Sequence, residues 1–427
     1  MNKTYYEALD ETLYSEILPN GLQVFVDKRP GFSKKMCYFA TDFGAVHRSF
    51  TFEGQHHTVP AGVAHFLEHK LFDLPGRDVS GEFSALGASV NAFTSYDLTA
   101  YYFSCTQNFE KCLGLLLEFV SVPYFTAETV EKERPIIGQE IDMCADEPGT
   151  RGFEHLMGAL YRRHPIREPI LGTRESIGKI TPDILHLCHR AFYSPANMIL
   201  CVVGDVEPEE VSTIARQVLG DERRPVGEKD PWPAEEESCF APRTEENMEV
   251  AMPQFSLAFK ASCPEKGEPA IRREFVGDLA AEALFGESSP LYMELYEQGL
   301  IDTSFGGGFE ATDGCAFLTC GGDSDAPEQV RRAILQRAQV LAQEGLEEAD
   351  FLRMKRSAMG RRIRDLDSFD GTCFRLCAYA MSEFDYFRFP QLYDSIEAAE
   401  IQEFLQQVVG TQNCSLSVIY PMKEEKL

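Results

Sequence analysis

The stretch PDILHLCHRAFYSPANMILCVV, residues 182–203, reads as an amphipathic helix opening at Pro182, a short connection containing Asn197, and a wholly apolar strand. A second stretch, AEIQEFLQQVVGTQNCSLSVIY, residues 399–420, repeats that order with Asn413 in the connection. Two segments that end in the same helix, connection and strand point to two domains of one architecture. Outward from the first stretch, the patterns predict strands over 22–26, 36–41, 89–94, 99–105 and 198–203, and helices over 63–72, 79–86, 109–120, 127–143, 182–192 and 208–219. The second half replays this order, with strands near 255–259, 303–309 and 316–321 and helices near 271–284, 291–297, 327–343 and 347–364. Residues 221–247 are rich in proline and charge, lack an apolar period and hold the one tryptophan, Trp232. They are expected to link an N-terminal domain, 1–220, to a homologous C-terminal domain, 248–427. Adjacent strands with helices packed on one side give an α+β class with largely antiparallel sheets.

The chain has 427 residues, of which 40 are Lys or Arg and 68 are Asp or Glu, for a net charge of −28. Nucleic acid and anionic membrane are poor partners for such a surface, because binding either begins with neutralising phosphates. The thirteen cysteines include no CxxC pair, and the closest two are Cys373 and Cys377. That usage reads as reduced thiols in a cytoplasm. The N-terminal residues lack a basic segment followed by an apolar one, and no run of 18 apolar residues occurs, so neither secretion nor membrane spanning is expected.

The sharpest chemical signal is Ala64-His65-Phe66-Leu67-Glu68-His69-Lys70. At about 100° per residue, with His65 at zero, Glu68 falls near about −60° and His69 near about +40°, so three polar groups share one helical face. Val63, Phe66, Leu67 and Leu71 form the opposite, core-facing stripe. Two imidazoles one turn apart suit Zn²⁺, and the carboxylate between them is placed to take a proton from a metal-activated water. This HxxEH order is the inverzincin pattern. Such a site needs a third protein ligand. Glu133 and Glu140, seven residues apart in ETVEKERPIIGQEIDM, share a helical face, while Glu128, Glu131 and Glu147 compete on composition. Pro135 is expected to kink or restart the helix between Glu133 and Glu140.

With these motifs the chain resembles the pitrilysin/insulinase family of zinc metallopeptidases, in particular its half-length bacterial members. The family pattern is HxxEH followed by a ligand glutamate inside an E-x6-E helix, and His69 to Glu140 spans 71 residues here. The resemblance implies a mitochondrial processing peptidase-like fold of two homologous domains. It makes His65, His69 and Glu140 the Zn²⁺ ligands, Glu68 the general base and Glu133 an orienting carboxylate. GASVNAFTSYDLTAYYF, residues 87–103, is similar to the family's substrate-receiving edge strand, which puts Asn91, Ala92 and Phe93 against the peptide. Residues 171–206 are similar to the end of the family's first domain. The family's Arg and Tyr of the second domain are not matched, since Tyr296 stands at the Arg position and Asp302 or Thr303 near the Tyr position. The implied activity is zinc-dependent endopeptidase cleavage of peptides. Because full-length members enclose substrate between two such halves, the resemblance also implies a dimer, with itself or with a homologous noncatalytic subunit. A noncatalytic peptide-binding subunit and a metal-dependent amidohydrolase are the competing functions.

Other features carry less. His186 and His189 are expected on a partly exposed helix face, His56 and His57 in a loop, and Gly306, Gly307 and Gly308 at a bend or bulge. The cysteines and the stripe of Phe374, Met381 and Phe384 read as core or interface.

Overall fold

The computed structural model describes residues 1–262 and 266–422. It divides into two compact units, one of residues 1–141, 169–231 and 362–390, the other of 142–168, 232–361 and 391 onward.

The first unit is built on a seven-stranded sheet in the order Asn2–Tyr6, Glu11–Ile17, Gln23–Lys28, Met198–Gly204, Lys35–Thr41, Thr99–Cys105, Ser89–Thr94. Neighbours are antiparallel except Gln23–Lys28 with Met198–Gly204, which run parallel. The unbroken apolar run of Met198–Gly204 suits its central place, and all seven of its residues are buried. Alternation on the flanking strands sorts the two faces. Val24, Val26, Cys37, Phe39, Tyr101 and Phe103 enter a core shared with the helices Val63–Leu71, Phe109–Ser121, Pro182–Phe192 and Pro208–Leu219. Tyr38, on the other face, meets the helix Phe369–Met381, where its hydroxyl donates to Asp370 Oδ1 at 2.8 Å. Ser89–Thr94 lies at the end of the sheet, paired with Thr99–Cys105, so its outer backbone groups form an edge.

The second unit holds five strands in the order Arg243–Met248, Cys414–Pro421, Gln254–Ala261, Cys315–Asp323, Gly306–Thr312. Its first pair is parallel and the others antiparallel, the same sequence of pairings as in the last five strands of the first sheet. The doubled α+β architecture expected from the repeated endings is thus present strand by strand.

Several local expectations change. The strand expected over 303–309 is Gly306–Thr312, because Asp302 Oδ1 accepts from the Ser304 amide at 2.8 Å and holds the preceding residues in a turn. The three glycines therefore lie within a strand, not at a bend. His56 and His57 form the strand Gln55–Thr58 in a small sheet instead of a loop. His189 is buried, with its Nε2 3.0 Å from the Val120 carbonyl, in place of the expected partial exposure. The helix that carries Glu133 and Glu140 is continuous over Ala127–Ala145, without the restart expected at Pro135. Pro135 and Glu131 are both exposed, on the solvent side of the helix, where water can take the place of the missing amide donor. Within 221–247, Glu228–Lys229 pair with Phe50 and Thr51, and Arg243–Met248 is the half-exposed outer strand of the second sheet. The described cysteines are free thiols, buried except for Cys144 and Cys239. Among the described residues no helix is long and apolar enough to cross a membrane.

Candidate metal centre

The helix Val63–Leu71 begins where two loops interlock. Gly62 has φ +87°, and a Cβ there would stand 2.3 Å from the Leu171 carbonyl oxygen. Ser176 Oγ, in the short helix Arg174–Ile177 just after Leu171, donates to the Ala61 carbonyl at 2.9 Å. A residue with a side chain fits neither the dihedral nor the space, so glycine fixes how the helix enters the core. Val63, Phe66, Leu67 and Leu71 are then buried among the sheet residues, and the opposite face carries His65, Glu68 and His69. His65 and Glu68 are only 7% and 8% exposed.

Glu140 reaches this face from the helix Ala127–Ala145. Its Oε1 lies 3.6 Å from His65 Nε2 and its Oε2 3.6 Å from His69 Nε2. One ligand atom from each of the three residues falls within 4.8 Å of the others. Zinc bonds of about 2.0–2.1 Å at tetrahedral angles place ligand atoms about 3.4 Å apart, so this donor set fits the ion in number, type and separation. Glu133, one turn pair earlier on the same helix, puts Oε1 3.0 Å from His69 Nδ1 and Oε2 3.3 Å from Lys70 Nζ. The competing glutamates are engaged elsewhere: Glu128 with Lys132, Glu131 with Arg134, and Glu147 as the cap of the helix Pro148–Leu160.

Electrostatics separate the carboxylates. Burial pushes the Glu68 pKa above the ordinary carboxylate value, against the Thr94 hydrogen bond and the two imidazoles. Glu140 is held below it, mainly by its hydrogen bond to His65. For Glu133 burial is the largest influence and would raise the pKa, but the His69 bond and the Lys70 ammonium outweigh it and leave Glu133 low. Burial likewise opposes charge on His69, yet Glu133, Glu68 and Glu140 together raise its pKa. A metal arriving at His69 therefore competes with a proton.

Thr94 and Lys70 are the two members of this site that sequence patterns did not single out. Thr94 Oγ1 donates to Glu68 Oε2 at 2.6 Å and so ties the edge strand to the motif helix. Asn91 and Ala92 lie along the exposed edge, and Asn91 Oδ1 accepts from the Ala92 amide at 2.9 Å. Phe93 points to the face opposite Thr94, its ring 5.9 Å from Phe374 and 6.3 Å from Tyr38. Tyr296 is exposed and stacks on Tyr292 in the second unit. A separate trio, Ser49, His56 and Asp230, offers no relay: Ser49 Oγ and Asp230 Oδ2 both meet the same His56 nitrogen, Nε2, at 3.1 and 2.7 Å.

A two-domain α+β chain with a His-His-Glu cluster beneath a sheet edge defines the class. The description "Insulinase (Peptidase family M16)" matches residues 55–174, and "Peptidase M16 inactive domain" matches residues 179–358. YmfH of Bacillus subtilis strain 168, named an uncharacterized zinc protease, is 37% identical over 427 residues, covering 97% of this chain and 98% of that protein. An M16-like peptidase from Alicyclobacillus acidocaldarius superposes with a TM-score of 0.93 at 31% identity, over 97% of this chain and 99% of the other. A peptidase M16 inactive domain from Pseudomonas fluorescens shares the fold, with a TM-score of 0.79 at 18% identity over 97% and 99% of the two chains. The chain belongs to the insulinase family, peptidase family M16. His65, Glu68, His69, Glu133 and Glu140 all lie within the residues that match the insulinase description.

Proposed function

We propose that the protein is a zinc-dependent endopeptidase whose chemistry is carried by residues of the N-terminal segment expected as 1–220, all of them within the first compact unit, and that the homologous C-terminal part takes no metal. His65, His69 and Glu140 are the ligands, Glu133 orients His69, and Glu68 is the general base. The observation that carries this reading is the meeting of two imidazole Nε2 atoms and one carboxylate at 3.6 Å, beside a buried carboxylate of raised proton affinity. Zn²⁺ bound there supplies Lewis acidity for a peptide carbonyl and brings a water pKa to near 7.

Glu68 Oε2 is occupied by the Thr94 hydroxyl, which leaves Oε1 to take the proton of the attacking water and return it to the departing amine. His69 keeps its proton on Nδ1, donated to Glu133, so that Nε2 faces the cluster with a lone pair. Substrate adds as an extended strand along Ser89–Thr94, with Asn91, Ala92 and Phe93 beside it. For a substrate carbonyl to use the Ala92 amide, the Asn91 side chain has to turn away from it. Backbone pairing of this kind selects for extended conformation more than for side chains.

The free thiols suit a cytoplasmic location, and the family likeness extends the proposal to a homodimer or a pair with a homologous subunit. The inactive-domain match spans residues 179–358 and includes no member of the cluster, so it lends nothing to a noncatalytic reading. Cleavage of a fluorogenic peptide library tests the function. Activity should vanish on chelation and return with stoichiometric zinc; backbone cleavage by metal-free protein would contradict the proposal, and zinc binding without any cleavage would favour an amidohydrolase or a noncatalytic subunit.

A further inference from the structure

Lys70 follows the second histidine of the motif, and its side chain is fully buried. An ammonium so placed is kept only where carboxylates enclose it. Its Nζ donates to Asp73 Oδ2 and, at 3.3 Å, to Glu133 Oε2. The other oxygen of Glu133 lies 3.0 Å from His69 Nδ1. One carboxylate is therefore shared between a buried cation and the imidazole that turns its Nε2 toward Glu140. The chain of contacts runs from Lys70 through Glu133 to His69, and both ends are neighbours on the same helix turn. Asp73 is half exposed, so water can replace Lys70 as its partner, whereas the Glu133 side chain is only 14% exposed.

We propose that Lys70 is a positioning residue for the metal site: it pins Glu133 by one oxygen so that the other fixes the ring orientation and Nδ1–H tautomer of His69. The inference rests on the metal reading of His65, His69 and Glu140. Lys70 also balances charge. Its ammonium offsets part of the negative charge that Asp73 and Glu133 bring to this side of the site.

The test is zinc affinity, measured by competition with a chromogenic chelator on the folded protein, with thermal unfolding of the apo form alongside. Lys70→Met should weaken zinc about 10–100-fold, the range typical of groups that orient a metal ligand. Lys70→Arg keeps the charge and should stay within about threefold, and Asp73→Asn should do the same. Because Lys70 acts through Glu133, the double variant Lys70→Met/Glu133→Gln should bind no more weakly than Glu133→Gln alone. Additive losses in the double variant, equal losses for Met and Arg, or unchanged affinity for Met would each overturn the proposal. Lys70→Gln serves if the Met variant does not fold. A chain that folds with neither neutral residue also overturns it, since Lys70 would then be a requirement of the fold. Absence of zinc binding by the wild-type chain would instead remove the metal reading itself.

Discussion

Thr94→Val isolates the one hydrogen bond between the edge strand and the proposed base. The Thr94 hydroxyl donates to Glu68 Oε2 at 2.6 Å, and Glu68 is 8% exposed, so water screens little of the interaction. A hydrogen bond to an ionised group contributes about 1.5–3 kcal/mol. This bond favours the charged carboxylate, as the lowering influence of Thr94 on Glu68 shows. Deleting it should raise the Glu68 pKa by about 1–2, at about 1.4 kcal/mol for each. Valine keeps the β-branched shape that the strand accommodates and replaces only the hydroxyl. A base works when ionised, so activity falls as pH drops through its pKa. The acid limb of kcat/KM for a fluorogenic peptide should therefore move to higher pH by about 1–2, with the plateau on the alkaline side little changed. An acid limb that stays in place, in a variant with undiminished zinc content, would refute the assignment of Glu68 as base.

The buried His189 predicts acid sensitivity in the first unit. Burial lowers its pKa to about 4, while the unfolded chain titrates near 6.5. The unfolded state binds the proton first as pH falls, so stability is full above about 6.5 and drains away toward 4, by about 2 kcal/mol between pH 7 and 5. Urea midpoints at those two values should show the loss in wild type and a smaller one in His189→Gln, which can still donate to Val120; equal losses would contradict it. Gly62→Ala combines a φ of +87° with a Cβ 2.3 Å from a backbone oxygen. It should lower stability by at least about 2 kcal/mol, seen as a clear drop in thermal midpoint, and an unchanged midpoint would mean the loops are not interlocked.

What the sequence made legible followed from periodicity. The motif helix, the strands Ser89–Thr94 and Thr99–Cys105 and the helix Pro182–Phe192 each carry a clear period, and they stand at or within a residue of where the pattern puts them. The repeated endings disclosed the doubled sheet because Met198–Gly204 is buried throughout and Cys414–Pro421 is buried at its first six positions, each following a helix and a short connection. Elements with half-exposed residues escaped. Glu11–Ile17 and Arg243–Met248 lie toward the outer side of their sheets and bury too few side chains to write a pattern. Of the helix Phe369–Met381 the sequence pattern marked only Phe374 and Met381, as part of an apolar stripe. At the candidate site, HxxEH is a local signal, and Glu133 and Glu140 follow from helical spacing. Thr94 and Lys70 act across space, through a hydroxyl and an ammonium whose partners lie on other elements or farther along the chain, and no spacing marks them. Pro135 did not restart the helix, and whether a proline does so depends on the surroundings of the carbonyl it frees, which the sequence pattern does not carry.

The central claim is that Glu68 performs the proton transfers at a zinc site it does not itself ligate. Glu68→Gln removes the basic oxygen and keeps the shape, so zinc content by elemental analysis and peptide cleavage should separate in one preparation. The variant should hold about one zinc per chain, with cleavage reduced by about 10²–10⁴-fold. Cleavage close to the wild-type rate at full zinc occupancy, or loss of the zinc itself, would contradict it.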